Sequence, residues 1–162
     1  MPERYDLCIE AAADDVAVAL AREGAVVRRI EWNGHQAQSV TLLPNIERLL
    51  GEAGADKSAI SAVLVDIGPG GYAGLRVGVS VAKALAHALG VPIAGVGRLE
   101  LDAWLVREAA SGRRIIAAHR VVALAAVGRA RLQAGRADDP TALVPLYLRG
   151  PAIGPRRADA GA

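Results

Sequence analysis

The residues best suited to chemistry lie in Gly68-Pro-Gly-Gly-Tyr-Ala-Gly-Leu-Arg-Val-Gly78. Gly68, Gly70, Gly71 and Gly74 free the backbone for positive φ and for close approach of an anion or of another chain segment. The apolar run 62–67 leads in and the Ala/Val/Leu run 77–89 leads out, so a strand, a hinge and a helix follow one another. Free N–H groups at such a helix start suit a phosphate or carboxylate, and Arg76, one turn in, could face that anion or form a surface ion pair. Two carboxylates join the set: Glu10 closes the first apolar run and Asp66 closes the run before the loop. In a phosphotransferase such acids hold Mg²⁺ and the attacking water; equally, a strand-end carboxylate binds loop N–H groups. Three readings of the loop stay open: an anion or nucleotide cradle, a dinucleotide fingerprint (Gly68-x-Gly70-x-x-Ala73), and a hinge that lets the helix pack closely. Against the fingerprint, three strands and a helix precede the loop and no acid follows at 88–96. A P-loop is excluded because no Gly-Lys-Ser/Thr closes the motif.

Other chemistry is thin. His35, His87 and His119 have no metal-ligand spacing, so no metal site and no catalytic set is assigned. The single cysteine, Cys8, lies in a strand-like run and reads as a small buried hydrophobe.

The elements that must position these residues read as follows. Runs 5–11, 16–20 and 25–32 are strands joined by polar turns at Asp14-Asp15 and Glu23-Gly24, an antiparallel meander. Leu42, Leu43, Ile46, Leu49, Leu50 and Ala53 then recur at helical spacing, with Pro44 in the first turn and Gly54 as stop. Strand 62–67, helix 73–89, strand 91–96 and helix 99–110 follow. The order βββαβαβα predicts an α/β fold with a mixed sheet carrying helices on its faces. Residues 113–127 read as one or two strands, 133–140 as a polar loop and 142–148 as a strand. The expected organisation is a lobe over 1–110, a reduced second subdomain over 111–150 and a disordered tail over 151–162.

The chain has 162 residues, is 52% hydrophobic and contains no Phe, so its core must be built from Ala, Val, Leu and Ile. Nothing in it reads as a signal peptide or membrane span, which predicts a cytoplasmic protein without a membrane partner. Net charge is +2, but residues 1–106 carry −4 and 107–162 carry +6, all of the latter's cations being Arg. That asymmetry reads either as a solvated surface or as one that meets RNA phosphates or an acidic partner.

Helix 73–89 is apolar on more than one side, through Leu75, Val77, Val79, Val81, Leu85 and Leu89. One stripe suffices to cover a sheet. The surplus points to a helix-on-helix interface whose expected residues are Leu42, Leu43, Ile46, Leu49, Leu50, Val77, Val81 and Leu85; the alternative is a closely packed monomer core.

Taken together, Ile9-Glu10-Ala11-Ala12, Val16–Leu20, Leu42-Leu43-Pro44-Asn45-Ile46, the glycine block 68–78, Ala82–Ala86, Pro92–Val96 and Pro145-Leu-Tyr-Leu-Arg149 resemble the TsaB family, scaffold proteins of tRNA threonylcarbamoyladenosine biosynthesis. The family usually has Ile-Asp-Thr where this chain has Ile9-Glu10-Ala11, and a longer second lobe. The resemblance implies a ribonuclease H-like, actin-like (ASKHA) lobe and a non-catalytic scaffold with no cofactor of its own, ATP being held by the partner or at the interface. It implies a TsaD-like partner, a TsaE-like ATPase, a homodimer when alone, and indirect contact with tRNA. The competing readings are a small actin-like ATPase or phosphotransferase using Glu10, Asp66 and the glycine loop, and a diverged dimerising interaction module.

Overall fold

The computed structural model describes residues 3–35, 37–108 and 117–148. Strand β1 (Tyr5–Glu10) lies at the centre of a five-stranded sheet ordered β3-β2-β1-β4-β5. Strands β2 (Asp15–Arg22) and β3 (Ala25–Asn33) complete the antiparallel meander, while β4 (Ile60–Asp66) and β5 (Ile93–Val96) add parallel to β1. The mixed sheet predicted from the element order is therefore observed.

Alternation along the strands divides the core in two. Leu7, Ile9, Val16, Val18, Leu20, Val63 and Val65 face one side, with helices α1 (Gln38–Glu52) and α2 (Tyr72–Leu89). Cys8, Ala17, Ala19, Ala21, Leu64, Ala94 and Val96 face the other, with α3 (Arg98–Glu108) and α4 (Ala117–Gln133). The alanines of β2 keep that second side flat enough for α4 to lie directly on the sheet, where it touches all five strands. Gly128 serves the same approach, since a Cβ there would meet Leu64 at 2.9 Å.

Three expectations need correction. The strands predicted for 113–127 are a helix from Ala117 onward, residues 113–116 lying outside the described set. Residues 121–128 of α4 are buried or half-buried on nearly every side, between the sheet and α3, so no polar face marks the helical period. Residues 142–148 form no strand; they run past the glycine loop, tied to the end of β4 by a backbone bond from Leu146 N–H to the Ile67 carbonyl at 2.7 Å. Helix α1 begins at Gln38, four residues earlier than its apolar stripe indicates, which puts Pro44 inside it rather than in its first turn. The tail expected over 151–162 lies outside the described residues.

Candidate functional site

Strands β1, β4 and β5 are parallel, and their carboxyl ends meet where ligands bind in open α/β sheets. Glu10 ends β1 and Asp66 ends β4, both buried, both on the α4 side of the sheet. Each is first held by its own turn: Ala12 N–H donates to Glu10 Oε1 at 3.1 Å and Gly68 N–H donates to Asp66 Oδ1 at 2.7 Å. The third member is Arg98, the first residue of α3. Its Nη2 donates to Glu10 Oε1 at 2.7 Å and its Nε donates to Asp66 Oδ2 at 3.1 Å, with the side chain only 13% exposed. Its backbone N–H donates to the Gly68 carbonyl at 2.6 Å, so the start of α3 is tied to the glycine loop at two levels.

Two buried carboxylates share one guanidinium, and the charges do not balance. Burial pushes the Glu10 carboxyl well above its usual range, and the Asp66 carboxylate pushes it further; Arg98 and the Ala12 N–H act the other way without cancelling this. Glu10 Oε2 is buried with no hydrogen-bond partner. The site is thus an acid pair bridged by one guanidinium, with the Glu10 carboxyl shifted toward its protonated form. Among the described residues no group of three or more His, Cys, Asp or Glu is placed to hold a metal ion. Cys8 is buried and its thiol is pushed up by desolvation, as expected of a packing residue.

The glycine loop packs on the β1–β2 turn. Gly71 N–H donates to the Ala12 carbonyl at 2.7 Å. A Cβ at Gly70 would overlap the Ala12 carbonyl oxygen, one at Gly74 the Ala11 carbonyl oxygen, and one at Gly68, where φ is +96°, would meet Leu75 at 2.8 Å. Of the three readings, close packing accounts for Gly68, Gly70 and Gly74. Gly71 is exposed and leads α2 without a side-chain cap. Arg76 is exposed and, among the described residues, has no part in the ion pairs that Arg98 makes with Glu10 and Asp66.

The expected interface residues separate into two groups. Leu42, Ile46, Leu49 and Leu50 are buried in this chain's own core, because they are the one stripe that α1 turns to the sheet. In this arrangement they are not open to another chain. Leu43 is 47% exposed, and Val77, Val81 and Leu85 are half-buried at the core's margin. Sequence reasoning missed Val40, which is 70% exposed one turn before Leu43; the early start of α1 hid it. It also missed Arg98, whose only local signal is a cation directly after a strand and a glycine.

The family model that matches is described as TsaD, tRNA N6-adenosine threonylcarbamoyltransferase, over residues 26–142. A tRNA threonylcarbamoyladenosine biosynthesis protein TsaB from Bacillus subtilis is 34% identical over 94 residues, which is 58% of this chain and 41% of that protein. A tRNA N6-adenosine threonylcarbamoyltransferase from Salinibacter ruber is 36% identical over 109 residues, 58% of this chain and 33% of that one. The match thus spans less than half the length of these curated relatives. In fold, YeaZ from Pseudomonas aeruginosa superposes with a TM-score of 0.73 at 19% identity, over 90% of this chain and 100% of that chain. Thermus thermophilus RuvC does so with 0.57 at 12% identity, over 83% and 98%, which agrees with the ribonuclease H-like lobe expected. Among the described residues no helix is long and apolar enough to cross a membrane. Matched by that model over well over half its length, the chain belongs to the TsaD family that the model describes, and it is similar to its TsaB and YeaZ relatives.

Proposed function

We propose that this chain is a scaffold subunit of tRNA threonylcarbamoyladenosine biosynthesis that pairs with a TsaD-like protein and leaves the transfer chemistry to it. The observation that carries the reading is the 34% identity to a TsaB biosynthesis protein over 94 residues, inside a family match over residues 26–142. The division of labour is supported by the acid pair: Glu10 and Asp66 are both engaged by the Arg98 guanidinium, which stands where a metal ion or a substrate proton would have to come. The docking surface belongs to the outward side of α1 and α2, which pack against each other on one face of the sheet. There Val40 and Leu43 are exposed and Val77, Val81 and Leu85 lie at the margin, with small exposed Ala73 and Ala84 allowing close helix approach. In the same reading a second copy covers this surface when the partner is absent. A TsaE-like ATPase joins the complex, ATP is held by the partner or at the interface near Gly71 and Arg76, and tRNA is met indirectly.

The test is co-purification of the full chain with the TsaD-like protein of the same organism. Leu43→Glu and Val81→Glu are expected to lose the partner while far-UV circular dichroism and melting stay as in the native chain. Undiminished pairing by both variants contradicts the proposed surface. Ile46→Glu belongs to a different experiment, because it buries a charge in the core and unfolds the chain.

A further inference from the structure

We propose that the outer edge of β3 is a self-complementary pairing surface, on which a second copy of this chain adds antiparallel through its own β3 and joins two five-stranded sheets into one. This edge is distinct from the outward side of α1 and α2, so the inference goes beyond the pairing proposed above. The two edges of the sheet are finished differently. The outer side of β5 is closed by this chain's own groups: Asp138 N–H donates to the Ile93 carbonyl at 2.9 Å, Gly95 N–H donates to Asp138 Oδ2 at 2.8 Å, and Arg131 Nη1 donates to the Gly95 carbonyl at 2.7 Å. Strand β3 is nine residues long, and among the described residues no strand lies outside it. An edge of that length offers a second strand a row of backbone N–H and C=O groups. The ladder decides which groups point outward. Gly34 N–H donates to the Asp14 carbonyl at 2.6 Å, and the register sets Asp15 beside Asn33. Bonded and non-bonded pairs alternate in an antiparallel ladder. Ile30 and Trp32 therefore turn their backbone groups to β2, while Arg29, Glu31 and Asn33 turn theirs away from it.

Charged side chains commonly guard an edge, because charges of one sign repel whatever strand arrives. Here both signs are present. Arg29 and Glu31 share one side of the strand, 3.8 Å apart, with side chains 43% and 50% exposed. A two-fold pairing that turns about Ile30 sets Arg29 of each copy opposite Glu31 of the other, and these are the residues whose backbone groups face outward. Turning about Arg29 or about Glu31 instead sets like charges opposite each other, which is unfavourable. The register about Ile30 also brings Arg28 opposite Trp32 on the side of α1, a cation over an indole. Both are already held there: Arg28 lies 3.8 Å from Glu52, and the Trp32 indole N–H donates to Thr41 Oγ1 at 3.2 Å. Charge sign thus selects one register, and in it the same patch meets itself, as a closed two-fold dimer requires.

The experiment is sedimentation equilibrium on the full-length chain carrying Val81→Glu, which removes association through α1 and α2. A species of twice 16.7 kDa is expected. Into that background go Arg29→Glu, Glu31→Arg and the two together. Each single change sets like charges opposite each other twice and is expected to weaken the dimer at least about tenfold. The double change restores opposite signs and is expected to restore the dimer, and the two single variants, mixed, are expected to pair with each other. Glu31→Pro removes an outward N–H without touching the ladder to β2 and is expected to leave a folded monomer. A parent chain that stays monomeric up to about 0.1 mM overturns the proposal. So does a double variant that is folded by circular dichroism yet monomeric, and so do single variants or Glu31→Pro that dimerise as tightly as the parent. Should Val81→Glu unfold the chain, Leu43→Glu serves as the background with the same expected results. None of these outcomes depends on the TsaD-like partner, so a failure here and a failure of that pairing are separate results.

Discussion

Strand β1 carries a buried acid at each end, and the two ends are wired differently. At the amino end Asp6 meets one guanidinium, that of Arg129 on α4: Nε donates to Oδ2 at 2.8 Å, Nη2 donates to Oδ1, and Ser61 Oγ donates to Oδ1 at 3.3 Å. One acid faces one bidentate cation, and the pair staples the last helix to the central strand. At the carboxyl end two acids share Arg98, and one Glu10 oxygen has no partner. A balanced ion pair is sufficiently explained as structure. The other end leaves one acid oxygen unpartnered at the end of the sheet where open α/β folds bind ligands.

The largest effect should come from the balanced end. Arg129→Ala leaves the Asp6 carboxyl buried with only Ser61 for company, and chemical denaturation at pH 7 should show a loss of about 3–5 kcal/mol. Asp6→Asn combined with Arg129→Met should recover most of it; a single variant costing under about 1 kcal/mol would show that the staple does not matter. Next come the glycines beneath the other end. Gly74→Ala drives a methyl into the Ala11 carbonyl and should cost about 3 kcal/mol, whereas Gly51→Ala on exposed α1, with nothing within 4 Å, should stabilise by about 0.5–1 kcal/mol. Equal costs in the two variants would mean that α2 can retreat from the turn.

The smallest effect separates the ends by pH. Burial, then Asp66, holds the Glu10 proton to higher pH in the folded chain than in the unfolded one, whose ordinary value is 4.5. Folding therefore takes up a proton. The stabilisation is fully present below the unfolded value and is lost as pH rises through the raised folded one, with a slope of up to about 1.4 kcal/mol per pH unit. Glu10→Gln copies the neutral form and should flatten that part of the profile. A weaker slope of the same sign should persist from Asp6, whose carboxyl is raised by burial against the pull of Arg129. An unchanged profile in Glu10→Gln would show that Glu10 is ionised in the folded chain.

How much of this was legible in the sequence follows from the range of each signal. The strands were readable because alternation is local: Val16, Val18 and Leu20 face α1 and α2 while Ala17, Ala19 and Ala21 face α4. Glu10 and Asp66 were readable as strand-end acids. Their cation was not, because Arg98 lies 88 residues from Glu10 and only the β1-β4-β5 order brings them together. Helix α4 was misread as strands because Arg120-Val-Val-Ala-Leu-Ala-Ala-Val127 pairs β-branched residues with small ones and is buried on nearly every side, which erases the 3.6-residue period. The stripe Leu42, Ile46, Leu49, Leu50 was read correctly as one helical face, but periodicity alone does not tell whether a face meets its own sheet or a partner.

The most direct test of the account is threonylcarbamoyl transfer to tRNA in a reconstituted mixture with the TsaD-like protein, comparing the native chain with Glu10→Gln and Val81→Glu. The account predicts an unchanged rate for Glu10→Gln, whose carboxylate takes no part in the chemistry, and loss of product for Val81→Glu, whose docking face is spoiled. Loss of product in Glu10→Gln with folding and pairing intact, or full activity in Val81→Glu, would contradict it.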